Sequence, residues 1–349
     1  MYEQVCLEVY ISQKMELGSL SIRISPIQTL GTWDLQKYNM VHMEIDKEEV
    51  QDLSRLSAGA GGVLDKFNLH FQQQPWYIKA GSPSGQGNYK LHEPIGEKIA
   101  ADIARILGFK AVNYSLWVVD KDLFQEINLP EDSMDSWDFA DDVECIDIPR
   151  MAGNEPVGDL MFSHTLQKLN KVLVSACPSF LQAGQGYSPC ADLYEEGLRQ
   201  ELYHRIVEGV PAARSDLDQM MVFDFLIHNT DRHENNFGFI TIDNQLQGLS
   251  SLFDHGHCLA IREDFAEFED HEVEYLDEMA AGRPFAKLHA ALQLIDRESL
   301  KGIRGDARIE ELHATMECYG SLIGTRKVEM MKRLIERRYA HVQTLLSKT

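Results

Sequence analysis

Apolar positions alternate in the first third of the chain and shift to spacings of three and four residues beyond it. Val5–Ile11 and Leu20–Ile24 carry β-branched and aromatic residues in partial alternation, as half-buried strands do. Phe67–Phe71 and Trp76–Ala80 repeat the pattern, and Gln72–Pro75 between them predicts a hairpin connection. His92–Leu107 then places Ile95, Ile99, Ile103, Ala104 and Ile106 near helical spacing, with Gly108 at the C-terminal stop. Tyr114–Val119 and Val143–Ile148 predict further strands. The acidic run LPEDSMDSWDFADD between them predicts a solvated loop.

From about Met151 the pattern is helical. Leu160–Val174, Asp192–Val207 and Leu217–His228 each show apolar residues three and four apart. Ser215 and Asp218 resemble a capping box at the start of the third. NTDRHENNFGFI carries too many Asn and Asp to continue that helix. It predicts a polar loop feeding a strand through Phe237, Phe239, Ile240 and Ile242. LSSLFDHGHCLAI predicts a second short strand broken by a turn at Asp254–Gly256, and Lys327–Leu346 is helical again. This order predicts an α+β protein of two lobes, a β-rich N-lobe over residues 1–149 and a mainly helical C-lobe over 150–349.

Composition narrows the function classes. A chain of 349 residues suits about two domains. Its 44% hydrophobic and 25% charged residues exclude wholesale disorder. Lys and Arg total 33 against 55 Asp and Glu, a formal charge of −22. Such a surface repels phosphate backbones and anionic lipid, so neither direct nucleic-acid binding nor membrane attachment is expected. A local pocket can still hold a nucleotide, because Mg²⁺ brings its own positive charge. The six cysteines form no C-x-x-C pair and read as reduced thiols. The N-terminal segment lacks the basic-then-apolar profile of a signal peptide, and no apolar run approaches the ~18 residues of a membrane span. A soluble cytoplasmic protein is expected.

The polar loop and its return carry the chemistry. Asp231, Asn236 and Asp254 supply two carboxylates and one amide oxygen. Phosphoryl transfer from ATP uses such a set: one carboxylate takes the proton of the attacking hydroxyl, and the other two groups hold Mg²⁺ against the phosphates. The five-residue step from Asp231 to Asn236 equals that of the protein-kinase catalytic loop. Upstream, WYIKAG sets Lys79 in a strand among apolar neighbours, where an amine requires a partner. The next helix offers Glu93 and Glu97. Glu97 lies inside it and is preferred, whereas Glu93, just before Pro94, is assigned to the helix start. Arg232 has two open roles, countering the transferring phosphoryl or pairing with a carboxylate. His233, His255, His257 and Cys258 invite a zinc reading, but no H-E-x-x-H occurs and their spacing is irregular.

D-R-H-x-x-N-F-G followed by a strand and F-D-x-G resembles the HipA-like serine/threonine kinases, including the CtkA-type branch, and the D-R-H-x-x-N loop is similar to that of phosphatidylinositol kinases. The resemblance covers roughly residues 53–259. It implies a bilobal protein-kinase-like fold, ATP and Mg²⁺ as cofactors, Asp231 as catalytic base, and Asn236 and Asp254 as metal ligands. Lys79, held by Glu97, would contact the ATP phosphates. LSAGAGGVLDKF resembles the family's phosphate loop, with Ser57, Gly59, Gly61, Gly62 and Lys66 in the family's order, although the loop is longer and lacks the family's Gln. Ser57 is a candidate regulatory site. Val143–Pro149 is the hinge candidate, with backbone groups at Glu144 and Ile146 facing adenine. The implied acceptor is a Ser or Thr hydroxyl on a protein, and the family's habit of working with a DNA-binding partner implies a regulatory protein. The alternatives are a small-molecule or phosphoinositide kinase, a silent pseudokinase-like module of a toxin–antitoxin system, and a metal-dependent hydrolase built on Asp254-His255-Gly256-His257.

Overall fold

The computed structural model describes residues 23–24, 29–30, 33–35, 40–45, 66–71, 74–82, 89–125, 158–195, 198, 200–262, 285, 291–303 and 307–346. The strands expected at Val5–Ile11 and Val143–Ile148 lie outside these residues. So do Ser57, Gly59, Gly61 and Gly62 of the phosphate loop and the hinge positions Glu144 and Ile146.

Six strands form the first sheet: β1 Arg23–Ile24, β4 Met40–Glu44, β5 Lys66–Phe71, β6 Gln74–Ala80, β7 Ser115–Asp120 and β8 Lys171–Pro178. Their order is β1-β4-β7-β8-β6-β5, with β4 and β7 parallel and every other pair antiparallel. β2 Thr29–Leu30 and β3 Trp33–Asp34 make a separate small ladder. Alternation along β6 sends Trp76, Ile78 and Ala80 to one face, where they pack with Trp117, Val174 and Ala176. Tyr77 and Lys79 therefore face the other way, toward helix α1, His92–Leu107. That helix buries Ile95, Ile99 and Ile103 against Leu116, Val118 and Leu173, and Gly108 ends it in the left-handed conformation at φ 85°.

β8 corrects the expected helix over Leu160–Val174. Helix α3, Gly158–Lys168, follows the short α2, Asp122–Gln125, and Asn170 then turns the chain at φ 53° into β8. Leu173 packs on the α1 side of the sheet and Val172, Val174 and Ala176 on the other. A strand buried on both faces reads as a continuous apolar run without alternation. β8 then leaves the sheet at Pro178 and leads into β9, Gln185–Pro189, of a second sheet.

That sheet runs β11-β10-β9, with β10 at Gly238–Ile242 and β11 at Gln245–Leu249. Asp243 and Asn244 join its hairpin, both at positive φ, the pairing a two-residue turn of primed type requires. The remainder is helical: α4 Gln200–Gly209, α5 Arg214–Leu226, α6 Ile309–Glu317, α7 Gly320–Ile323 and α8 Thr325–Leu346. Ser215 and Asp218 form no capping box. The Ser215 hydroxyl donates to the Ser299 carbonyl, and the Asp218 carboxylate accepts from Tyr203 and from the Asp296 N–H. The second strand expected in Leu249–Ile261 reduces to a single bridge between Leu252 and Ala111. No helix among the described residues is long and apolar enough to cross a membrane.

Candidate active site

The strand face chosen by alternation aims Lys79 at α1 and at the segment after β11. Its ammonium donates to Glu97 Oε1 at 3.0 Å and to Asp254 Oδ1. Burial alone would favour the neutral amine, but the Asp254 and Glu97 carboxylates outweigh it and hold Lys79 above the ordinary lysine range. Glu97 is fully buried. Its Oε2 accepts the backbone N–H of His255 at 2.6 Å, so one carboxylate joins the strand lysine to the segment carrying Asp254.

That segment runs hard against α1. A methyl group on Gly96 would lie 3.1 Å from the Gly256 carbonyl, and Cys258 Sγ donates to the Gly96 carbonyl at 3.4 Å. Asp254 itself sits at φ 60°. A carboxylate residue held in this sparsely populated region is the kind of strain that functional sites retain.

The loop between α5 and β10 is organised from below by Arg232, which is 1% exposed. Its guanidinium meets Asp224 on α5 through two bonds of 2.9 Å, a fork-to-fork pairing. Nη1 donates to the Asn236 carbonyl at 2.6 Å and to the Phe253 carbonyl at 2.7 Å. One side chain thus pins the loop residue Asn236 to the residue before Asp254. Nη2 lies 3.0 Å from His255 Nδ1, and because guanidinium only donates, Nδ1 is the acceptor of a neutral ring. Burial, then the Arg232 charge, push His255 well below the usual histidine range. Arg232 therefore takes the carboxylate-pairing role: it is buried under the loop rather than turned toward a phosphate.

The loop's own bonds orient its chemistry. Asn229 donates to Asp224 Oδ1 at 3.0 Å and accepts the Asp231 N–H at 3.1 Å. Asn236 Nδ2 donates to the Asp231 carbonyl at 3.0 Å, which ties the amide to the backbone of the other candidate residue on the loop. The Asp231 side chain is 48% exposed, with His257 Nδ1 3.6 Å from Oδ2. Asp231, Asn236, Asp254, Lys79 and Glu97, from four separate stretches of sequence, are thus linked through direct contacts and the Arg232 anchor.

The histidines and Cys258 do not make a zinc site. His255 turns to Arg232, Cys258 to Gly96, and His257 to Asp231 and Arg262. Among the described residues no group of three or more His, Cys, Asp or Glu is placed to hold a metal ion. Sequence reasoning missed Asp224, whose partner lies eight residues on. Glu93 lies in the first turn of α1, as its place before Pro94 predicts, but sequence reasoning did not anticipate that it is fully buried, accepts from the Ser82 hydroxyl at 2.6 Å and lies 3.7 Å from Arg262 Nε. Glu93 and Glu97 stand one turn apart on one face of α1, a spacing that could have marked both. An aromatic cluster borders the lysine: Phe180 stacks on Phe253, centroids 5.7 Å apart, and on Tyr77 at 6.4 Å.

No protein-family model matches the chain, and no curated protein matches it in sequence. Among solved structures, the Helicobacter pylori proinflammatory kinase CtkA is similar at 14% identity and a TM-score of 0.51, over 83% of this chain and 95% of that one. The Golgi casein kinase with Mn/ADP bound is similar at 14% identity and a TM-score of 0.31, over 79% and 71%. HipA of the Shewanella oneidensis MR-1 toxin–antitoxin system, in complex with HipB and operator DNA, is similar at 13% identity and 0.33, over 96% and 73%. The fold is that of a bilobal, kinase-like α+β protein.

Proposed function

We propose that this chain is an ATP- and Mg²⁺-dependent phosphotransferase of the HipA-like type, acting on a Ser or Thr hydroxyl of a protein. One observation carries the reading: a single buried carboxylate, Glu97, holds both the strand lysine and the backbone of the segment that bears Asp254. The donor set fits the implied cofactors. The Asp254 carboxylate and the Asn236 side-chain oxygen are hard oxygen ligands suited to Mg²⁺, and the Lys79 ammonium is suited to phosphate oxygens. Bound Mg²⁺ would neutralise charge on the phosphates. Lys79, fixed by Glu97, orients them without searching rotamers. Asp231 accepts the acceptor's hydroxyl proton as the new oxygen–phosphorus bond forms and the bond to the departing ADP breaks. We assign the base of the nucleotide to the cluster of Tyr77, Phe180 and Phe253, where β8 leaves the sheet, and place the boundary between lobes at Pro178.

The test is incubation with Mg²⁺, labelled ATP and dephosphorylated casein, read by label transfer, ADP release and intact mass. Label on casein or on the chain itself, lost in Asp231→Ala while ATP still raises the melting temperature, is the expected result. Stabilisation by ATP with neither ADP nor label would replace the enzyme by a nucleotide-binding module. Indifference to ATP would remove the reading altogether.

A further inference from the structure

A second polar chain runs beside the Lys79–Glu97–Asp254 contacts and ends on Asp231. The Ser82 hydroxyl, three residues after Lys79, donates to Glu93 Oε1 at 2.6 Å. Glu93 Oε1 lies 3.7 Å from Arg262 Nε. Arg262 Nη1 approaches the His257 ring at 2.7 Å from Nε2 and 3.2 Å from Nδ1. His257 Nδ1 faces Asp231 Oδ2 at 3.6 Å. The string thus ties the segment leaving β6 to the carboxylate on the loop after α5.

The string also selects the ring's tautomer. Arg262 Nη1 lies against the ring between its two nitrogens, and an ionised carboxylate has only acceptors, so the nitrogen that faces Asp231, Nδ1, carries the proton of a neutral ring. Burial and then Arg262 push His257 below the usual histidine range, against the opposing charge of Asp231, so the ring is neutral near pH 7. Glu93 keeps Arg262 in place. Its Oε2 has no hydrogen-bond partner among the described residues and is sealed against Gly81, where a side chain would strike the Lys90 carbonyl at 2.0 Å.

We propose that His257 is a positioning residue for the phosphotransfer: its Nδ1–H, fixed by Arg262 and Glu93, directs the Asp231 carboxylate toward the acceptor hydroxyl. This rests on the reading of Asp231 as the proton acceptor. His257 touches neither nucleotide nor acceptor and acts only through that carboxylate. A group that orients a reacting side chain is worth about tenfold to a hundredfold in rate.

The experiment measures steady-state phosphate transfer and ADP release by the full chain with Mg²⁺-ATP and dephosphorylated casein. His257→Ala is expected to lower kcat about tenfold to a hundredfold, with the KM for ATP within about twofold of the parent. His257→Asn places an amide N–H near the former Nδ1 and should restore most of the rate, whereas His257→Gln should not. In an Asp231→Asn background, His257→Ala should cost nothing further. Arg262→Met should weaken the rate in the same direction and add nothing to His257→Ala. An unchanged kcat in His257→Ala overturns the proposal, as does an equal loss in the Asp231→Asn background or a KM for ATP that rises in step. A parent chain that turns over while these variants disagree sinks this inference alone. A parent chain that makes no ADP sinks the phosphotransferase reading as well.

Discussion

Glu97 holds the His255 backbone N–H at 2.6 Å with one carboxylate oxygen and takes the Lys79 ammonium with the other. The helix face set by Ile95, Ile99 and Ile103 orients this carboxylate, so packing of α1 decides where the lysine sits. Glu97→Gln keeps an acceptor for His255 but removes the charge from beside Lys79. Phosphate transfer should fall at least about a hundredfold in both Glu97→Gln and Glu97→Ala. Glu97→Ala should also lose about 3 kcal/mol of stability, the scale for stripping one partner from a buried ion pair. Urea denaturation beside the kinetic assay separates the two. Equal stability of the two variants would show that the His255 bond carries nothing.

The Asp224–Arg232 pair is almost wholly buried, at 4% and 1% side-chain exposure. Asp224→Ala leaves a guanidinium without its carboxylate beneath the loop and should cost about 3–5 kcal/mol. Replacing both residues, as in Asp224→Ala with Arg232→Met, should cost less than the sum of the single changes. A double-mutant cycle in urea reads this coupling directly. Additive losses would mean that the two side chains act independently.

Two imidazoles tie stability to pH. Burial, then the Arg338 charge, push His228 down to about 3, and burial with Arg232 pushes His255 well below its ordinary value. The unfolded chain binds these protons below about pH 6.5 while the folded chain does not. Stability from both groups is therefore complete above about 6.5 and drains away as pH falls toward 3, by about 1.4 kcal/mol per unit for each site. His228 sits at φ 50°, a conformation Asn tolerates. His228→Asn should flatten the fall in urea midpoint between pH 6.5 and 5, and a slope equal to the parent's would contradict the assignment.

Much of this site was legible because its signals are local. The Ile95–Ile99–Ile103 spacing and Gly108 mark α1, and the five-residue step from Asp231 to Asn236 marks the loop's two candidate positions. β8 was not legible. KVLVSACP is buried on both faces, and an apolar run without alternation can equally continue a preceding helix. Glu93 and Asp224 were hidden for a different reason. Their worth depends on Ser82, Arg262 and Arg232, and pairings made by tertiary packing leave no periodic trace. The Ser215–Asp218 spacing shows the converse, since a local capping pattern yielded to the longer contacts with Ser299 and Tyr203.

The C-terminal helix, which the sequence left without a role, braces both halves of the site. Arg338 on α8 donates to the Phe225 carbonyl at 2.7 Å, and its guanidinium carbon lies 4.8 Å from the centre of the Phe225 ring. Phe225 lies in the last turn of α5, where unsatisfied carbonyls and the helix dipole both favour a cation. Eleven residues earlier on α8, Lys327 donates to the Ile261 carbonyl at 2.8 Å, at the far end of the segment that bears Asp254. At 1.5 Å per residue the two anchors stand about 16 Å apart, so one rigid rod spans the loop and its return. Arg338 is 1% exposed. Arg338→Met should cost about 2–3 kcal/mol, because it strips a charge-assisted bond from a buried carbonyl. Lys327→Ala, nearer the surface, should cost about 1 kcal/mol. Hydrogen exchange gives the sharper check. Arg338→Met should speed exchange at the amides of 227–231, and Lys327→Ala at those of 258–261. Exchange that accelerates uniformly across the chain in both variants would reduce α8 to a generic packing element.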